Sequence, residues 1–73
     1  MSSANKGVEY LVSAARAANN GTAVHLQALS ALGDAGGPAA QEYLISVARA
    51  ANSGTKVHMT ALEALGRASR EKP

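Results

Sequence analysis

Residues 9–33 and 42–66 are two copies of one segment. They align without gaps at an offset of 33, and 18 of their 25 positions are identical. A chain of 73 residues that is mostly one segment stated twice has few folds open to it. A period of this length marks a supersecondary unit that buries its faces against like units. Four of the seven differences, Val12/Ile45, Ala14/Val47, Asn20/Ser53 and Leu26/Met59, exchange similar residues. The other three, Ala23/Lys56, Gln27/Thr60 and Ser30/Glu63, change polarity at positions the pattern places outside. Such likeness fits a recent duplication or a consensus-style sequence.

Each copy reads as two helices. At about 100° per residue, Val8, Leu11, Val12, Ala15 and Ala18 share one face, with Glu9, Ser13 and Arg16 opposite. The chain then meets Asn19-Asn20-Gly21-Thr22. Glycine adopts the left-handed backbone that closes a helix, and threonine caps the next one by accepting from its free N–H groups. Asn52-Ser53-Gly54-Thr55 repeats this stop and start. A second helix begins near Ala23, with Val24, Ala28, Ala31, Leu32 and Ala35 apolar, Leu29 widening the face, and Gln27, Ser30 and Asp34 polar. It is expected to end in Gly33-Asp34-Ala35-Gly36-Gly37-Pro38, where Pro38 suits the first turn of a third helix reaching about Asn52. A fourth runs from about Thr55 to Arg70. Short connections make neighbouring helices antiparallel. No segment alternates with period two, so no strand is predicted.

The fold class is therefore all-α: four antiparallel helices as two tandem helical hairpins in one domain. The expected units are about 8–36 and 37–70, with 1–6 and 71–73 as flexible ends. Val24-His25, Ala28 and Ala31-Leu32-Gly33, then a Gly-rich turn and a further amphipathic helix carrying Leu44, resemble HEAT-like helical repeats. Val57-His58, Ala61 and Ala64-Leu65-Gly66 match the same pattern. The resemblance implies helix pairs stacked into a short superhelix. It departs from that family at His25 and His58, where the family commonly carries Arg or Lys. Gly21-Thr22-Ala23-Val24-His25-Leu26 also looks like the ankyrin pattern. An ankyrin unit, however, needs a long hairpin loop, and only Asn20–Thr22 are free here. A compact four-helix bundle remains the other arrangement open to the chain.

Composition turns attention to association. The apolar 47% is mostly Ala, and Phe, Trp and Cys are absent. Burial is worth roughly 25 cal/mol per Å² of apolar surface, so an alanine core contributes little per residue. Alanine favours helix and lets helices approach closely. A protein of this kind gains by stacking with another copy. Leu11, Val12, Leu26, Leu44, Ile45 and Met59 are the residues expected to be left open in a monomer and to mediate that contact. A symmetric dimer, in which the two copies extend each other's stack, is the expected way to cover them. The partners expected are thus a homodimer or higher homo-oligomer, and secondarily another protein or peptide.

Other classes are disfavoured. No cysteine means no disulfide or thiolate chemistry. The opening MSSANKG lacks the apolar run of a signal peptide, and no run approaches a membrane span, so a cytoplasmic location is expected. The net charge of +2 sits largely at Arg67, Arg70 and Lys72, a thin signal for nucleic acid. Asn20-Gly21-Thr22 matches a glycosylation sequon, but nothing indicates secretion. No catalytic residue, cofactor or metal site is predicted. His25 and His58 are the unexplained repeated residues. They read as hydrogen-bonded groups packed at helix starts, with a proton switch across an oligomer axis as the alternative. Tyr10 and Tyr43 are expected to pack with wet hydroxyls. Glu9, Ser13, Arg16, Glu42, Ser46 and Arg49 form the candidate interaction face. A small adaptor or nucleic-acid-binding module using that face and the basic tail is the second functional expectation.

Overall fold

Four helices account for all regular structure among the described residues of the computed structural model, which are 6–70. They are α1 (Lys6–Ala17), α2 (Ala23–Ala35), α3 (Gly37–Ala50) and α4 (Lys56–Ala68). Residues 1–5 and 71–73, and with them Lys72 and most of the expected flexible ends, lie outside the described residues.

The two copies make the same corner. Gly21 and Gly54 take φ of 84° and 85°, conformations that cost a side-chain-bearing residue most. The Thr22 hydroxyl oxygen accepts from the His25 N–H at 3.4 Å and donates to the Asn19 carbonyl at 2.7 Å. Thr55 does the same with His58 at 3.2 Å and Asn52 at 2.8 Å. One side chain thereby satisfies an orphan donor of the new helix and ties it to a carbonyl of the preceding turn.

The second helix breaks at the glycine pair Gly36-Gly37, as the sequence leads one to expect. The helix α2 continues through Gly33 to Ala35 and ends at Gly36, whose φ is 70° and whose N–H donates to the Leu32 carbonyl at 3.0 Å. Gly33 is in the helix for a packing reason. A Cβ placed there would stand 2.7 Å from the Ala64 Cα, so α2 and α4 cross backbone to backbone at this point. Composition and spacing cannot separate a glycine that stops a helix from one that admits a neighbour. The third helix also ends two residues before Asn52, because the backbone turns extended at Ala51, with ψ of 148°.

The helices pair α1 with α2, α3 with α4, and α2 with α4, while α1 and α4 do not meet. The Cα atoms span 35 × 27 × 17 Å, a slab about two helices thick. Leu29, Leu32 and Leu44 are fully buried at its centre, with Ala40, Ala61 and Ala64 between them. Each such leucine is worth about 1.5–3 kcal/mol on burial, and the alanines much less, so three leucines carry a large part of the core. At the edge of the slab, Gln41 Nε2 donates to the Ala68 carbonyl at 3.0 Å and caps the end of α4 from α3.

Arg67, read from the sequence as part of a basic tail, belongs to α4. Its Nε lies 2.9 Å from Asp34 Oδ1, and its Nη2 donates to Ser30 at the carbonyl (3.0 Å) and the hydroxyl (3.1 Å). The guanidinium closes α4 on α2, and the side chain remains about a third exposed, at 34%. None of the described helices is long and apolar enough to cross a membrane.

Candidate interaction surfaces

Two open surfaces stand out, and they differ in chemistry. The first is a groove of about 510 Å³ between α1 and α3. Successive turns of α1 supply Glu9, Ser13 and Arg16, and α3 supplies Glu42 and Ser46, all facing the same space. Five of the six residues of the candidate interaction face are therefore brought together. Arg49 is exposed on α3 and does not line the groove. The floor includes Val8, Val12 and Tyr43, and the Arg16 guanidinium sits 5.7 Å above the Tyr43 ring. That contact holds the arginine over an aromatic face and leaves two carboxylates, Glu9 and Glu42, as the open charges of the groove. Ser46 Oγ is turned back to donate to the Tyr43 carbonyl at 2.7 Å. A mixed groove of this kind suits a polar or basic side chain of a protein partner.

The second surface is a shallow depression of about 440 Å³ on α1 and α2, lined by Leu11, Ala14, Ala23, Val24, Gln27, Ala28 and Ala31. Gln27 apart, every lining residue is apolar. Val24 is 64% exposed, more than Ile45, Met59 or Leu62.

The residues singled out for self-association divide. Ile45 and Met59 are exposed, Leu11, Val12 and Leu26 are half-buried, and Leu44 is fully buried. Leu44 is thus a correction: it belongs to the monomer core, because α4 closes over the α3 position that its counterpart Leu11 holds on α1 without such cover. Val24 and Leu62, both exposed, were missed. Each is identical to a residue buried elsewhere in the repeat, Val57 and Leu29, and only the neighbour decides which copy is covered. The two tyrosines divide in the same way. Tyr43 packs beside the core under Arg16, whereas Tyr10 stands 74% exposed.

Both histidines have a definite local role. The Gly21 N–H donates to His25 Nδ1 at 3.1 Å, and the Gly54 N–H donates to His58 Nδ1 at 3.2 Å. Nδ1 is an acceptor in each, so the ring proton belongs on Nε2. The imidazole folds back over the corner and satisfies the amide of the left-handed glycine. His25 is buried and His58 half-buried. No group of three His, Cys, Asp or Glu suited to a metal occurs among the described residues.

Comparison of the chain with protein-family models, with curated proteins and with solved structures gives no match. The reading of function rests on the residues alone.

Proposed function

We propose that the protein is a non-enzymatic helical-repeat scaffold, built of two HEAT-like antiparallel hairpins, that works by association and first of all with its own copies. The observation that carries this reading is the apolar depression on α1 and α2. The buried large apolar side chains among the described residues are few, Leu29, Leu32, Leu44 and Val57, and leaving Val24, Met59 and Leu62 in water forgoes burial that a small alanine core needs. A repeat end without a polar cap is a surface for another unit. Sedimentation or light scattering of the full chain over a micromolar concentration series tests the reading. The expected result is a mass that rises with concentration. A folded monomer at every concentration overturns it.

A second reading, an adaptor that grips another protein through the α1–α3 groove, is favoured by the convergence of Glu9, Glu42 and Arg16 there. It predicts binding that weakens as salt screens the contact. Reversing Glu9 and Glu42 to Lys abolishes such binding without unfolding the protein, since both side chains are exposed.

A further inference from the structure

We infer that the second copy docks head to tail, the α4 end of one molecule seating on the α1–α2 end of the next. The inference rests on the self-association reading and specifies its geometry. The contact is already present once, inside the chain. Among the contacts that join the two sequence copies, three have their residues presented again, open, 33 positions away, and a fourth repeats a pair of opposite charges.

The closest is at Gly33, where a Cβ would meet the Ala64 Cα at 2.7 Å. The counterpart of Gly33 is Gly66, which has nothing within 4 Å of the same point, and the counterpart of Ala64 is Ala31, which lines the apolar depression. A glycine in the interior of a helix costs stability unless a neighbour uses the space, and no neighbour among the described residues uses the space at Gly66. At the second contact, a Cβ at Gly21 would meet Val57 Cγ2 at 3.8 Å, while the counterparts Gly54 and Val24 are open. At the third, Arg16 covers Tyr43, while Arg49 and Tyr10 are both exposed.

The fourth contact brings charge complementarity. Arg67 pairs with Asp34 across the inner contact at 2.9 Å. These two residues are each other's counterparts, so an arriving copy sets its Asp34 against the resident Arg67. The charges are opposite again with the roles exchanged, and the side chain of Asp34 is 72% exposed, with room for a second partner. Glu63 at the position of Ser30 adds a like charge facing the arriving Asp34, which makes the outer contact weaker than the inner one.

The two ends present different surfaces, so the contact is heterologous and does not close in a pair. It continues into an open chain of molecules instead of stopping at a symmetric dimer. This departs from the symmetric dimer that the sequence suggests.

Two single-ended variants of the full chain test the geometry. Gly66→Leu fills the α4 end, and Val24→Glu charges the α1–α2 end; both positions are open in the monomer. In sedimentation equilibrium, wild type is expected to grow past dimer with concentration. Each variant alone weakens association by about tenfold or more, with an unchanged circular-dichroism spectrum. An equal mixture of the two restores a one-to-one heterodimer and nothing larger, because one free head meets one free tail. Should Gly66→Leu lose helicity, Arg49→Glu blocks the same end through an exposed side chain. A wild type that closes as a dimer, or variants that associate as wild type does, overturn the head-to-tail geometry and leave self-association standing. A mixture without heterodimer does the same. A wild type that stays monomeric overturns both.

Discussion

Residues 21–33 and 54–66 are near-copies in sequence and fold to the same capped helix, yet one is an interior and the other a surface. In the first, Leu29, Leu32 and Gly33 are buried under α4. In the second, Leu62 and Gly66 are exposed and Leu65 is half-buried. On the opposite side of the same helices the order reverses, with Val57 buried and Val24 exposed. The local corner is indifferent to this. Glycine, threonine and histidine make the same bonds in both copies to within 0.2 Å. Local structure thus follows from the segment, and burial follows from which side the other segment lies on.

The comparison can be broken first at the leucines. Leu29→Ala removes a fully buried side chain and is expected to cost about 3 kcal/mol, whereas Leu62→Ala costs less than about 1 kcal/mol. Urea unfolding of dilute protein measures both. A comparable loss at the two sites would mean that the copies are equally enclosed.

The glycines give a change of sign. Gly33→Ala forces a methyl group against the backbone of Ala64 and is expected to destabilise by about 2–3 kcal/mol. Gly66→Ala meets nothing and is expected to stabilise the dilute monomer by about 0.5–1 kcal/mol through helix propensity. Thermal melts followed by circular dichroism should move in opposite directions.

The smallest effect sharpens the comparison by abolishing it. Thr22→Ala and Thr55→Ala each remove a cap that is exposed and equivalent, and each is expected to cost about 1 kcal/mol. A gap between them larger than a few tenths would show that the corners feel the core after all.

Periodicity made the helices legible in the sequence, and the corners with them, because spacing on a wheel and the Gly-Thr pair act over a few residues. All five polar groove residues were likewise legible as a stripe, since Glu9, Ser13 and Arg16 recur as Glu42, Ser46 and Arg49. The remainder required knowing which helices meet. The use of Gly33 inside the helix is not legible locally; only the crossing with α4 gives it one. Leu44 looked like its copy Leu11, but α4 covers one and not the other. The partner of Arg67 lies 33 residues away, beyond any local rule.

That distance has a consequence for the alphabet of such a chain. Asp34 and Arg67 stand at the same place in successive units and face each other. Identical units would bring aspartate against aspartate or arginine against arginine, so a perfect replica of either unit would replace this attraction with a repulsion. The shortest stretch that can follow itself without a clash of sign there is a pair of unlike units. The repeat seen by eye has a period of 33, but the charge has a period of two repeats, and one chain holds a single full turn of that longer cycle.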